Sequence, residues 1–352
     1  MSLKTAEKAI DYIFARTTED ESVEIGFFGG EPLLEFNLIK EITALIQSHK
    51  SFNPNRVSIS VTTNGTIFND EIATFLAKNK IVLCVSCDGP PKIQDKTRKF
   101  RNGQGTSRIV EENIRKALLV FPLLPVNAVY STETLEFLPE TVDYLSSIGV
   151  KNIFLNLDIS SKWTKKHADQ LPIIFNSLCD KYLEYYSKGK PKFINLIDNK
   201  ITVILRGGYN PFERCRMGTG ELAFSTTGNL YPCERLLGSD DGVTNCIGNI
   251  NEGRFPIKTC KPISSQATNE ECKECGLSDY CMNWCGCTNY YSTGSYSRVA
   301  PFMCAHEKAA INTAYQIIQK MKDGGIDFSH HISGTALVNT VTEKKQLESD
   351  IL

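Results

Sequence analysis

No stretch of the 352 residues stays apolar for the roughly 18 positions that a bilayer span requires. Neither a signal-peptide pattern nor a lipidation motif is found, so the expected location is the cytoplasm. An excess of one charge is lacking too. With 39 Lys and Arg against 40 Asp and Glu, the formal net charge is -1, which argues against nucleic acid or an anionic membrane as the main partner. Cysteine is scarce in the first 200 residues, where only Cys84, Cys87 and Cys179 occur, and these read as core thiols. The remaining composition, 41% hydrophobic and 22% charged, is that of an ordinary soluble globular protein. The length suits one large α/β domain followed by a smaller module.

The front of the chain alternates helical and strand patterns. Helices are expected over Thr5–Arg16, Pro32–Lys50, Asp70–Asn79, Ser107–Val120, Leu135–Ile148 and within Lys165–Tyr186. Strands are expected over Val23–Phe28, Val57–Thr63, Ile81–Ser86, Pro125–Ser131 and Asn152–Asp158. Short apolar strands alternating with helices imply βαβ units, a parallel sheet, and ligands at the strands' C-terminal ends. The polar tips GGEP, TTNG and SCDGP all fall at such ends. After about residue 190 the rhythm stops, and short strand-like pieces (Leu222–Ser225, Asn229–Pro232) alternate with glycine and cysteine until a helix at His306–Lys322. The final polar stretch reads as poorly ordered.

Ten of the 13 cysteines lie between Cys215 and Cys304. Cys215 is followed after twelve residues by Gly228 and after four more by Cys233; then come Cys272-x2-Cys275-x5-Cys281-x3-Cys285, and finally Cys304. In a reducing compartment dense cysteines point to metal or iron–sulfur ligation rather than disulfides. Seven ligands are too many for one cluster and suit two, with one ligand position left over. A pair of structural zinc sites is the alternative, and a disulfide scaffold a third. Cys246, Cys260 and Cys287 are spare thiols near the set.

The segment IGFFGGEPLL poses a separate question. A glycine pair after a strand suggests a phosphate loop, yet no lysine and no third glycine follow. Glu31 then reads either as a ligand-holding carboxylate or as a solvated first-turn residue favoured by the helix dipole.

Taken with TTNG, SCDGPPKIQDKTR and the spaced cysteines, FFGGEPLL resembles the radical S-adenosylmethionine enzymes that carry a SPASM extension. That subgroup includes anaerobic sulfatase-maturating enzymes and peptide maturases. The resemblance implies an α/β fold: a partial (β/α)6 TIM-like barrel (residues 1–190), a small cysteine-rich iron–sulfur domain (191–325) and a polar tail (326–352). It implies that Gly29, Gly30, Glu31 and Pro32 hold the cofactor's amino group, and that Asn64 and Ser86 contact its ribose and carboxylate. Turn capping is the other reading of Asn64 and Ser86. Arg108 or Arg98 would pair with the carboxylate. Cys272, Cys275, Cys281 and Cys304 would ligate an outer [4Fe–4S] cluster, and Cys215, Cys233 and Cys285 an inner one. The fourth inner ligand found in sulfatase-maturating relatives has no counterpart in RMGTGELAF, which leaves an open iron, Cys287 or Cys246.

Also implied are a peptide or protein substrate, a flavodoxin- or ferredoxin-type electron donor, and a proton-accepting role for Glu234, which alternatively forms a surface pair with Arg235. The family's defining Cys-x3-Cys-x2-Cys occurs nowhere in the sequence, so the expectation is a longer enzyme whose cluster-binding loop lies upstream of this chain. A non-catalytic peptide-binding or electron-transfer homologue, or a zinc-stabilised binding protein, would explain the same absence.

Overall fold

The computed structural model describes residues 1–210, 213, 215–253, 269–282 and 285–326. Six strands form one sheet in sequential order: β1 (Val23–Phe27), β2 (Val57–Thr63), β3 (Val82–Ser86), β4 (Pro125–Tyr130), β5 (Asn152–Leu157) and β6 (Phe193–Ile194). From β2 to β6 every neighbouring pair is parallel. Parallel neighbours need a crossover, and helices supply it. The helices are α1 (Leu3–Arg16), α2 (Phe36–Ser48), α3 (Asp70–Lys78), α4 (Pro91–Thr97), α5 (Ser107–Val120), α6 (Leu138–Ser147), α7 (Lys165–Ser187) and α8 (Asn195–Leu205).

The alternation VSISVTT in β2 shows why the sheet has two unlike faces. Val57, Ile59, Val61 and Thr63 are buried, as are Leu83, Val85, Val126, Ala128, Ile153 and Leu155 on the following strands. Each such aliphatic side chain contributes about 1.5–3 kcal/mol relative to exposure. The alternate residues Ser60, Thr62, Ser86, Asn127 and Asn156 are only half-buried. One face is therefore apolar core, and the other is polar and partly open.

The sixth βα unit is where the structure departs from the sequence reading. The alternation does not stop near 190: β6 and α8 carry it to Leu205. A two-residue strand leaves no period-2 signal, and NLIDNKITVIL is rich in β-branched residues that weaken a helical signature. The short α4 within PPKIQDKT was likewise missed.

Among the described residues two compact units are distinguished. One comprises Met1–Val23, Glu35–Val57 and the described part of Tyr209–Cys304; the other comprises Glu24–Leu34, Ser58–Gly208 and the described part from Ala305. In the first, α1 packs on α2, and Ala9 and Tyr12 cover Leu230 and Ile250. Leu230 lies in, and Ile250 directly follows, a small antiparallel sheet of β7 (Ala223–Phe224), β8 (Asn229–Tyr231) and β9 (Gly248–Asn249). The same unit holds α9 (Glu270–Lys273) and α10 (Gly286–Thr293). The long α11 (Pro301–Asp323) follows, and its His306 Nε2 lies 2.7 Å from the buried Tyr130 hydroxyl in the second unit. No described helix is long and apolar enough to cross a membrane.

Gly65, the last residue of TTNG, has φ +76°, and a Cβ there would lie 2.8 Å from Val85 Cγ1 and 3.2 Å from Val110 Cγ1. Left-handed backbone disfavours a side chain, and the packed valines have no room to yield. Gly65→Ala is expected to cost about 2 kcal/mol or more, read as a lowered midpoint in urea unfolding.

Candidate functional site

Glu31 stands at the C-terminal ends of β1 and β2, and its carboxylate is already engaged. Its Oε1 accepts from the Leu33 amide at 3.0 Å and from Thr63 Oγ1 at 2.8 Å. Oε2 accepts from the Asn64 amide at 2.7 Å. Thus the side chain stitches the loop after β1 to the end of β2 instead of projecting freely from a helix turn. A carboxylate offers about four lone-pair sites. Three are occupied, leaving acceptor capacity for one further donor such as an ammonium group. Gly29 and Gly30 precede it with both Cβ directions open, nothing lying within 4 Å, although Gly29 has φ +138°.

Asn64 serves as a turn former: its Oδ1 accepts from the Thr66 amide at 2.9 Å and the Thr66 hydroxyl at 2.7 Å. Only its amide nitrogen stays available. Ser86 ends β3 on the half-open polar face, opposite Asn127 of β4. Arg108 is not brought to this group. Its side chain is 92% exposed and pairs with Glu112 one helical turn on. Arg98, the other cationic candidate, is committed to the buried Asp88, with Nε–Oδ2 at 2.7 Å and Nη2–Oδ1 at 3.0 Å.

That pair explains much of SCDGPPKIQDKTR. Asp88 also accepts from the Val129 amide at 2.9 Å and from Thr97 Oγ1 at 3.1 Å, tying the end of β3 to β4. Asp95 accepts from the Ser107 amide and hydroxyl at 2.8 and 2.7 Å, fixing the start of α5. The motif alone does not assign these roles. The signal was present, since two aspartates, a glutamine and an arginine in a connection this short need partners when buried.

The cysteine-rich unit gathers its thiols through a hairpin. Ala223 pairs with Tyr231 and Phe224 with Leu230, so continuing the register two residues outward sets Glu221 opposite Cys233. The Cys233 thiol donates to Glu221 at 3.3 Å and to Glu234 at 3.2 Å. Burial first, then the neighbouring Glu234, pushes the Glu221 carboxyl up to about 7. Glu221 was missed by the sequence reading, though the turn STTGN between the strands could have located it. Glu234 meets Arg235 as well, at 3.7 Å.

Cys285 caps α10, and Cys287 lies in its first turn. Their sulfurs are 3.3 Å apart. Cys215, Cys233, Cys285 and Cys287 all belong to one packed group. Donation from Cys215 and Cys287 holds the Cys285 thiol far below its ordinary value, and the hydroxyl of Thr288 adds a third donor at 3.3 Å. Met217, Leu236, Tyr290 and Tyr296 pack around the sulfurs. Cys246 stands apart, its thiol directed to the Gly248 carbonyl at 3.2 Å.

The donor chemistry fits an iron–sulfur group: soft thiols with hydrogen-bond donors in an apolar surround. A tetrahedral four-thiolate zinc site would bring all its sulfurs within about 3.8 Å of one another. Among the described residues the only trio of ligand atoms lying within 4.8 Å of one another is Glu221, Cys233 and Glu234. The 3.3 Å between the Cys285 and Cys287 sulfurs is shorter than the thiolate spacing of either group, so the donor types and not the spacing carry the fit.

Cys272, Cys275, Cys281 and Cys304 are all half-buried. The Asn269 side chain exchanges two hydrogen bonds with Val299, at 3.1 and 2.8 Å, joining the start of the CxxC segment to the approach to α11, which carries Cys304. Cys260 lies outside the described residues. Cys87 is a buried core thiol, whereas Cys84 is only half-buried, on the same face of β3 as Ser86; burial pushes both thiols up to about 12.

A parallel sheet with an anchored carboxylate loop at its strand ends stands in one chain with a gathered set of thiols, the frame of an α/β protein with a cysteine-rich module. Residues 2–145 match the radical SAM superfamily. An uncharacterized protein of Methanocaldococcus jannaschii is 30% identical over 256 residues, covering 72% of this chain and 80% of that one. A cysteine-type anaerobic sulfatase-maturating enzyme of Clostridium perfringens is 26% identical over 284 residues, 76% of this chain and 74% of the other. Native anSMEcpe with bound AdoMet and Kp18Cys peptide shares the fold, with a TM-score of 0.73 and 21% identity over 92% of this chain and 91% of that one. The chain belongs to the radical SAM superfamily.

Proposed function

We propose that this chain is the barrel and auxiliary-cluster part of a radical SAM maturase of the SPASM type, acting on a residue within a peptide or protein. S-adenosylmethionine held at a [4Fe–4S] cluster would supply the radical chemistry for taking a hydrogen atom from the substrate. The 352 residues contain no Cys-x3-Cys-x2-Cys. What they do is hold and orient. Glu31 would take the cofactor's ammonium in its remaining acceptor position, with Gly29, Gly30 and Pro32 allowing close approach. The Asn64 amide nitrogen and Ser86 would hold its polar groups. Cys272, Cys275, Cys281 and Cys304 would carry one auxiliary cluster, and Cys215, Cys233 and Cys285 the other, with electrons from a flavodoxin- or ferredoxin-type donor. Glu234, through the carboxylate oxygen now facing Cys233, would accept a proton from substrate.

The packed group of cysteine thiols beside Glu234 is the observation that carries this reading. Anaerobic reconstitution with iron and sulfide tests it: two [4Fe–4S] clusters mean about eight irons per chain, whereas bound zinc without iron would defeat the reading. A second reading is a non-catalytic peptide-binding or electron-transfer homologue. That reading predicts the same irons and no modified peptide from any form of the protein.

Gly30 offers a sharp test of the cofactor loop. Nothing lies within 4 Å of its added Cβ, so Gly30→Ala should leave the melting temperature unchanged. If the space is kept for the cofactor, calorimetry will show affinity for S-adenosylmethionine lowered roughly tenfold or more, equivalent to about 1.4 kcal/mol. Unchanged affinity would remove the glycines from the site.

A further inference from the structure

We propose that the corner joining α5 to β4 is a docking surface for an acidic segment of another protein, one carrying a leucine- or phenylalanine-sized side chain. The inference does not depend on the reading above, because this corner lies at the N-terminal ends of the strands and Glu31 at the opposite ends. Residues 118–123 read LLVFPL, six apolar residues in a row, and none of them is buried. Leu119 is 85% exposed, Leu123 48% and Val120 44%. Single apolar residues on a surface need no explanation, but a contiguous run marks an interaction site. The run is also held in place by its backbone. The Phe121 amide donates to the Ala117 carbonyl at 2.7 Å, and the Leu124 amide to the Phe121 carbonyl at 2.9 Å. Asn152 Nδ2 donates to the Leu123 carbonyl at 2.7 Å, which pins the corner to the start of β5.

Beside the run, an open cavity of about 350 Å³ is lined by Arg115, Leu118, Pro122, Ile148, Gly149 and Lys151. Both charged residues in that lining are cations. More positive charge follows from the strand register. Asn152 pairs with Phe193, so Lys151 and Lys192 stand side by side just ahead of β5 and β6. The Lys192 ammonium donates to the Val150 carbonyl at 3.2 Å. Burial first, then the charges of Lys151 and Lys190, holds that ammonium below its ordinary value. Carboxylates on the flanking helices are already engaged, Glu111 by Arg115, Asp143 by Lys181 and Glu184 by Lys188. Lys151 and Lys190 form no ion pair among the described residues. Carboxylates of a partner complement this uncompensated charge, while its apolar side chain fills the cavity and covers the exposed run. A concave site rimmed by lysines suits a protein segment better than a lipid surface, which has no single side chain to place in it.

The test titrates the full chain into a fluorescein-labelled peptide, Glu-Glu-Leu-Glu-Phe-Glu-Glu, and follows fluorescence anisotropy. Saturable binding is expected, with a dissociation constant of about 100 μM or tighter at low salt, weakening as salt rises. A peptide with alanine in place of its leucine and phenylalanine should bind roughly tenfold more weakly. Lys151→Glu and Leu119→Ser should each lower affinity for the first peptide roughly fivefold or more. Both positions are exposed, so melting temperatures should stay unchanged and lost binding cannot be put down to unfolding. Lys162→Glu makes the same charge change beyond the other end of β5, and its affinity should match that of the unaltered chain. No saturable binding below about 1 mM would overturn the proposal, as would equal weakening by Lys162→Glu. A different occupant would overturn it too. Binding to phosphatidylserine vesicles that Leu119→Ser abolishes would assign the corner to a membrane, and a dimer abolished by the same change would assign it to a second copy of the chain.

Discussion

Asp88→Asn is expected to lower stability by about 3 kcal/mol, which for a domain of this size is a loss of roughly 6–12 °C in melting temperature. The Asp88 side chain is 5% exposed and accepts four hydrogen bonds, two of them from the Arg98 guanidinium. Asparagine keeps the shape but removes the charge, leaving a mostly buried guanidinium unpaired. It also turns an NH2 toward an Arg98 N–H in either orientation, and in one of them toward the Val129 amide as well. Breaking a buried pair by changing one partner costs about 3–5 kcal/mol, and the lower end applies because the Arg98 side chain is 27% exposed and water recovers part of the loss. The damage extends past the pair, since Asp88 ties β3 to β4 and sets the path of residues 88–107. Arg108→Ala is the control. That side chain is almost wholly in solvent, and its pair with Glu112 is worth little, so the melting curve should be unmoved. Equal losses from the two variants would show that the Asp88 network has been overrated.

The contrast between these arginines also marks how far the sequence could be read. Strand and helix order from Thr5 to Tyr186 was legible because each buried face repeats with its own period, as VSISVTT shows. The ends of β2 and α5 match the expected residues, whereas two-residue β6 left no period to detect. Cysteine spacing pointed to a metal site, but not to the different surroundings of Cys287 and Cys246. Those come from the turn of α10, which sets Cys287 among Met217 and Leu236, and from the Gly248 carbonyl that Cys246 faces. Glu221 escaped notice because its partner Cys233 is set by strand register, not by neighbourhood along the chain. For the arginines, sequence offered two cations near one motif. The buried carboxylate that claims Arg98, and the solvent that claims Arg108, are properties of the folded chain.

Glu31→Gln should act on stability and on cofactor affinity together. The carboxylate accepts at both oxygens, from Leu33 and Thr63 on one and from Asn64 on the other. An amide has a single acceptor oxygen. In one orientation its NH2 confronts the Asn64 amide; in the other it confronts the Leu33 amide, and only the Thr63 hydroxyl can rotate to accept. Either way one donor loses its partner at the end of β2, at a cost of about 1–3 kcal/mol. Thermal unfolding should register a fall of several degrees. Replacing the charged acceptor also removes the charge-assisted bond proposed for the cofactor's ammonium. Calorimetry should then show S-adenosylmethionine binding weakened by roughly ten- to a hundredfold, the equivalent of about 1.4–2.8 kcal/mol. The two readouts separate the two roles. A lower melting temperature with unchanged affinity would make Glu31 a staple between β1 and β2 and nothing more. Weakened affinity with an unchanged melting temperature would mean that water replaces the lost contacts and that the carboxylate is kept for the ligand alone.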